Sequence, residues 1–354
     1  MSTLWDTTGG EVVTALSAER RSAGVVAFGI VLTLVVIVDE RHAGEATAAA
    51  AAGAAAHPCR LLVVVRRQPD ATEPRLDAEV SVGGRLGTGE LVVLRMYGPL
   101  ADHAESVVLP LLAPDTPVVL WWYGDPPARL GADCLGVIGE RRITDTAAAT
   151  DPAAALRQRA AEYRPGDTDL AWTRITLWRS LLAAALDAVP GRASRAEVHA
   201  AAGNPSGALL AGWLSARLGV PVTLAQSAGP GVTAVALDFA DGNGGAQLHL
   251  DRPDGRTARL ARTGQPDRVL PLPRRELGDL MGEELRRLDP DEPYAEALAA
   301  AVGRPVGPPV GRPAKPGPPA QTPVARSAEE RLPSAAEQDA AEAELRRLGS
   351  GSAP

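Results

Sequence analysis

Hydrophobic positions recur along this chain with two different periods. Residues 25–38 (VVAFGIVLTLVVIV) and 59–65 (CRLLVVV) are continuous apolar blocks rich in β-branched side chains, which predicts strands buried on both faces. Residues 39–56 between them are dominated by alanine, the strongest helix former, with Gly53 as a weak point and Pro58 beyond the end. Strand, helix and strand in that order predict a crossover unit in a parallel sheet. Around it, residues 4–23 read as an amphipathic helix capped near Thr8, residues 76–82 as a half-exposed alternating strand, and residues 90–96 as another strand. Pro99 opens a helix toward Leu112, and residues 117–122 (PVVLWW) form a short buried strand. Residues 130–146 read as a turn or short helix beside the sheet, and residues 153–163 as a helix.

The densest informative stretch is residues 163–187, YRPGDTDLAWTRITLWRSLLAAALD. Pro165-Gly166 marks a turn, and Asp167, Thr168 and Asp169 are helix-capping residues at the positive end of the helix dipole. Ala171, Ile175, Trp178, Leu182, Ala185 and Val189 then recur in steps of three and four, one apolar face of a single helix. Trp172 lies off that stripe and Arg174 and Arg179 flank it. Two readings stand for this cluster with Asp167 and Asp169. One is a docking surface, since guanidinium groups pair bidentately and stack; the other is a buried helix with arginines snorkelling at its edges.

Downstream, residues 195–200 and 221–225 predict strands flanking a helix at residues 205–218, with Gly219 as its stop. Residues 232–239, 246–251 and 257–262 read as an antiparallel meander around DGNGG and RPDGR turns, followed by helices at 273–288 and 291–302. The expected fold is therefore α/β. An N-terminal domain over 1–164 carries a mixed or parallel sheet with flanking helices, and a smaller α+β domain covers 165–302. Residues 303–354 are proline- and glycine-rich with almost no large apolar side chains, so a disordered tail is expected there.

Composition narrows the function classes. The chain has 354 residues, 45% of them hydrophobic and 3% aromatic. A formal net charge of −7 and a pI near 5.4 argue against a general nucleic-acid or anionic-membrane binder. The 25–38 run is shorter than the roughly 17–25 residues of a membrane span and reads as a strand. The first residues lack a basic leader pattern, and two cysteines, Cys59 and Cys134, exclude a disulfide framework. The expectation is a soluble cytoplasmic protein.

No complete catalytic set emerges. The glycine loop at 83–89 precedes a strand rather than a helix and lacks the dinucleotide spacing. Asp102, His103 and Ser106 crowd one helix, whereas a triad converges from separate elements. His57 and Cys59 lack companions with metal-ligand spacing, so neither a metal nor a cofactor is expected. Cys134, in a loop, is the candidate redox-active thiol, and Cys59 an inert buried one. Trp121 and Trp122 point to opposite faces of their strand, which leaves at least one as a candidate for exposure near the sheet edge. Arg141, Arg142 and Asp145 form a second mixed-charge cluster, read as an anion pocket, a docking patch or an interface ion pair.

Four stretches taken together, at residues 97–122, 139–145 (GERRITD), 163–187 and 205–222, resemble the OpcA family of glucose-6-phosphate dehydrogenase assembly proteins, in the same order over about residues 10–300. The resemblance implies a non-enzymatic partner of that dehydrogenase, which promotes its active oligomer in the oxidative pentose phosphate pathway. On that basis the expected contact surface is Trp172, Arg174 and Arg179 with Asp167 and Asp169, and Trp122, Arg141, Arg142 and Asp145 nearby. The redox control known among photosynthetic relatives is not carried over to these two cysteines. The competing expectation is a sugar-phosphate-binding protein or enzyme with its anion site at residues 98–103 and Arg141-Arg142.

Overall fold

The two apolar blocks become the central strands of the first sheet because both of their faces are covered. The computed structural model describes residues 1–23, 29–55, 57–68, 70–83, 89–189, 191–240, 245–252 and 254–303. The first part of the chain runs β1 (Ser2–Leu4), α1 (Gly9–Ser22), β2 (Leu32–Asp39), α2 (Ala43–Ala54), β3 (Cys59–Arg67), β4 (Arg75–Val82) and β5 (Glu90–Tyr97). It continues through α3 (Glu105–Val108), β6 (Val118–Trp122), β7 (Arg141–Thr144), α4 (Pro152–Ala161) and β8 (Asp167–Asp169). Among the described residues these strands form an eight-stranded mixed sheet in the order β1-β4-β5-β3-β2-β6-β7-β8. The run from β5 to β8 is parallel throughout, and β4 and β1 add an antiparallel edge.

Alternate residues of β2 and β3 enter two different cores. Val35, Ile37, Leu62 and Val64 pack with Val12 and Leu16 of α1 on one face. Leu34, Val36, Leu61 and Val63 pack on the other with the alanines of α2. The capping expectation at Thr8 is met by a reciprocal box with Glu11.

The chain continues with α5 (Leu170–Thr173), α6 (Thr176–Leu186), β9 (Arg192–Ala200), α7 (Pro205–Leu218), β10 (Val222–Gln226), β11 (Val232–Ala240), β12 (Ala246–Asp251), β13 (Thr257–Arg262), β14 (Gln265–Pro271), α8 (Leu277–Glu284) and α9 (Glu292–Ala301). Among the described residues six strands make the second sheet, β10-β9-β11-β12-β13-β14, in which only the β9–β10 pair is parallel. Its core joins Val198, Val235, Leu237 and Leu250 to Trp178 and Leu182 of α6, Leu210 of α7 and Leu298 of α9. Gly219 ends α7 in the left-handed conformation, φ 66°, that a glycine stop supplies.

Several expectations are corrected. Residues 130–146 contain a sheet strand, β7, rather than only a turn or short helix. Its Arg-Arg start reads as polar, yet both guanidiniums are neutralised inside the protein. Because β7 covers the outer edge of β6, neither Trp121 nor Trp122 is exposed; they enter opposite cores. The helix expected from Pro99 is split by two 3₁₀ turns around the single turn α3, since Pro110 cannot continue an α-helix. The helix expected over residues 4–23 begins only at Gly9, after the short strand β1 paired with β4, and β14 escaped the sequence reading because most of its positions are exposed. β4 keeps the expected alternation, with Leu76, Ala78 and Val80 enclosed, and departs from it at Asp77, which is buried as well.

Gly53 is not a weak point but a crossing point. A Cβ there would lie 2.6 Å from the Met281 Cβ, and one on Gly278 would lie 2.7 Å from the Ala52 Cβ, so α2 and α8 touch backbone to backbone. Residues 24–28, 84–88 of the glycine loop, 241–244 of the DGNGG turn and the proline-rich tail from 304 lie outside the described residues.

Candidate functional site

The stretch at 163–187 is not one helix. Asp167–Asp169 is β8, paired in parallel with β7, and the helical residues divide into α5 and α6 around Arg174 and Ile175. The expected apolar face survives the break: Ala171, Ile175, Trp178, Leu182 and Ala185 are all buried. The change from strand to helix follows from Asp169. Its carboxylate accepts hydrogen bonds from the Thr144 hydroxyl at 2.6 Å, the Thr146 amide at 3.0 Å, the Thr146 hydroxyl at 2.9 Å and the Ala171 amide at 2.8 Å. It therefore ends the strand, caps α5 and ties both to the loop after β7. Burial, with Asp145 nearby, pushes the Asp169 carboxyl up to about 6 although these donors pull it back.

The predicted site residues separate into supports and lining. Arg142 donates to Asp167 at 2.5 Å and to the Gly139 and Pro165 carbonyls at 2.7 Å, so β7 and the turn before β8 are locked together. Burial raises the Asp167 carboxyl despite that guanidinium. Arg141 donates to Glu284 of α8 at 2.5 and 2.9 Å and to the Asp289 carbonyl at 3.0 Å. The other Glu284 oxygen accepts from the Thr173 hydroxyl. Arg174 forms a bidentate pair with Asp145, 2.6 Å at each oxygen. Trp122, Asp167, Asp169, Arg141 and Arg142 are thus enclosed, and of these only Arg141 lines the cleft that Trp172 and Arg179 share.

The competing anion site does not assemble. Residues 98–103 follow the carboxyl end of β5, whereas Arg141 begins β7 at the opposite edge of the parallel sheet, level with Leu91.

Trp172 and Arg179 do come together. The Arg179 guanidinium carbon sits 3.6 Å from the centre of the Trp172 ring, whose indole N–H donates to Asp291 at 2.8 Å. Trp172 is only 1% exposed, so it is a floor rather than a projecting anchor. Both line a cleft of about 440 Å³ between α6 and the segment from α8 to Asp291. Three carboxylates line it too, and each is engaged: Glu283 by Arg275 and Thr176, Glu284 by Arg141, and Asp291 by Trp172. The arginines are in excess. Arg179 keeps one hydrogen bond, to the Thr176 hydroxyl, and leaves its Nε unpartnered, while Arg286 and Arg287 are exposed with no side-chain partner among the described residues. Burial pulls the Arg179 guanidinium down to about 10, against the raising effect of Asp291. Sequence reasoning missed Glu283, Glu284, Arg286, Arg287 and Asp291. Their one visible signal was the charge density of EELRRLDPD at the end of a helix.

Cys59 and Cys134 are both free thiols. Cys134 is half-buried, and burial followed by the Glu105 carboxylate raises it to about 11. Its alkylation at pH 7.5 is expected to be on the order of a hundredfold slower than that of an unperturbed cysteine, read by mass spectrometry after timed iodoacetamide treatment. Labelling at the unperturbed rate would contradict this environment. Among the described residues no group of three His, Cys, Asp or Glu side chains converges as metal ligands, and no helix is long and apolar enough to cross a membrane.

Two family models match the chain. One, described as the N-terminal domain of a glucose-6-phosphate dehydrogenase subunit, matches residues 49–161. The other, described as the C-terminal domain of that subunit, matches residues 165–298. A comparison with curated proteins gives no match. Among solved structures the chain is similar to a 3-ketoreductase from Actinomadura kijaniata, at 11% identity over 77% of this chain and 95% of that one, with a TM-score of 0.42. It is similar also to an oxidoreductase from Sinorhizobium meliloti (10% identity, 77% and 95% covered, TM-score 0.37) and to an NAD-binding oxidoreductase from Klebsiella pneumoniae (10%, 77% and 94%, TM-score 0.39). These distant likenesses carry no argument about activity. The two matched halves, consecutive and together spanning most of the described chain, place it in a family: the protein belongs to the OpcA family of glucose-6-phosphate dehydrogenase assembly proteins.

Proposed function

We propose that this chain is a non-catalytic partner of glucose-6-phosphate dehydrogenase that promotes the enzyme's active oligomer in the oxidative pentose phosphate pathway. Family membership carries the identity of the partner. The excess of arginine around the Trp172 cleft supports a docking role for that cleft, because exposed guanidinium groups without internal partners suit carboxylates on another protein. Activation then follows from linkage. A protein that binds the assembled dehydrogenase more tightly than its inactive form shifts the equilibrium by that difference in affinity and by no more.

The contact surface is Arg179, Arg286 and Arg287, with Trp172 as the stacking floor. Asp145 holds Arg174 from behind, so reversing the charge of Arg174 would disturb the fold as well as the surface. The sharper test is the double variant Arg286→Glu, Arg287→Glu, which breaks no internal contact among the described residues. Its thermal melt is expected to match wild type. The concentration giving half-maximal activation of the cognate dehydrogenase is expected to rise at least tenfold, with loss of the larger species in light scattering. Unchanged activation by the folded double variant would move the interface elsewhere. Failure of the wild-type protein to change either rate or mass would remove the activator reading itself.

A further inference from the structure

A second cavity lies beside the first segment of α6, and its charge is one-sided. It encloses about 270 Å³ and is lined by Arg174, Arg252, Arg274 and Arg275, with no carboxylate lining it among the described residues. Two of these arginines have acids behind them: Asp145 for Arg174 and Glu283 for Arg275, neither of which faces the cavity. The other two have no ion pair among the described residues. Arg252 donates to the carbonyls of Val232 at 2.9 Å and Leu272 at 3.5 Å, lies 5.2 Å from the centre of the Trp178 ring, and leaves its buried Nε without a partner. Arg274 is exposed and donates to the Pro230 carbonyl at 2.5 Å.

A half-buried guanidinium held by carbonyls, with its Nε buried and unpartnered, retains a charge that is costly unless a ligand completes it. The Arg252 guanidinium accordingly falls to about 10, first through burial and then through repulsion by Arg274. Asp254, the acid that opposes this, gives its oxygens to the Thr257 hydroxyl and to the amides of Arg256 and Thr257. The amino end of α7 closes the wall with Asn204 and Ser206, and the helix dipole there favours negative charge.

We propose that this cavity binds a small phosphate monoester, with the phosphate between Arg252 and Arg274 and the ester group against Trp178. Guanidinium forks from separate elements match the three terminal oxygens of a phosphate, and a dianion balances the two charges left unpaired. The cavity is separate from the Trp172 cleft: Arg179, Arg286 and Arg287 do not line it. Binding requires no dehydrogenase, so its failure and that of the activator reading are distinguishable.

The test is calorimetric titration of the full chain in physiological salt. Inorganic phosphate is one arm, a hexose phosphate and a nucleoside monophosphate are two more, and a glutamate-rich peptide is the fourth. Saturable binding of phosphate is expected, tighter for at least one ester. Affinity is expected to fall at least tenfold in Arg274→Ala and in Arg252→Lys, with the melting temperature of each followed separately. The Arg286→Glu, Arg287→Glu variant is expected to bind as wild type does. The proposal fails if phosphate and both esters give no saturable heat, if only the peptide binds, or if folded Arg274→Ala and Arg252→Lys bind with wild-type affinity. It also fails if binding is lost in the cleft variant, because the anion would then occupy the other cavity.

Discussion

Glu284→Ala is expected to destabilise the protein by about 3–5 kcal/mol, because it leaves the Arg141 guanidinium buried without its partner. Arg141 is 2% exposed and cannot turn to water, and among the described residues the Asp289 carbonyl is its only other acceptor. The same carboxylate also accepts from Thr173, so the substitution frees a second donor at the end of α5. The pair itself need contribute little net energy, since both ions were desolvated to form it. The double variant Arg141→Met, Glu284→Leu is therefore expected to recover at least half of the loss, with the interaction energy read from a denaturant double-mutant cycle. Equal destabilisation by the single and double variants would show that packing, not charge, fastens α8. Because Arg286 and Arg287 follow α8 directly, Glu284→Ala is also expected to weaken dehydrogenase activation in parallel with the loss of stability.

Asp169→Ala is expected to cost about 3 kcal/mol or more, since the Thr146 and Ala171 amides and two threonine hydroxyls lose their common acceptor inside the protein. The pH dependence gives an independent check on the same residue. An aspartate raised to about 6 in the folded state, against about 3.9 when unfolded, binds its proton more tightly when folded. That contribution is fully present below pH ~4, shrinks as pH rises, and is gone above about 6. The stability difference between wild type and Asp169→Asn is therefore expected to shrink from pH 4 to pH 6.5, whereas a fully ionised Asp169 would make it flat across this range. Comparing the two proteins removes the opposing background from carboxylates such as Glu90, whose folded form is held low by Arg20 and Arg60 against the cost of burial.

The elements most legible in the sequence are those whose signal is local. The apolar blocks of β2 and β3, the alanine run of α2, Thr8 with Glu11, and the Asn204–Gly219 frame of α7 all announce themselves within a few residues. The elements that escaped depend on partners far away in the chain. β7 begins Arg-Arg and reads as a surface turn until Glu284 and Asp167 supply the neutralising charges. The apolar face of residues 171–185 was correctly placed, yet the strand β8 ahead of it was hidden because Asp169 takes its donors from a loop more than twenty residues earlier. In the Trp172 cleft, Trp172 and Arg179 belong to the cluster that the sequence singled out with Arg174, but the opposite wall comes from residues 283–291, whose charges look in sequence like an ordinary solvated helix end.

The glycine contact between α2 and α8 bears on how the molecule is made. α2 belongs to the first sheet's central crossover and can form as soon as β2 and β3 pair. The helix that covers its glycine face, with Leu280 and Met281, is made only after the whole second sheet, Arg192–Pro271, has been synthesised. Closing that contact means closing most of the chain into a loop, which costs entropy before any contact repays it. A nascent first half therefore carries an uncovered apolar groove throughout synthesis of the second sheet, the kind of surface through which partly made chains aggregate.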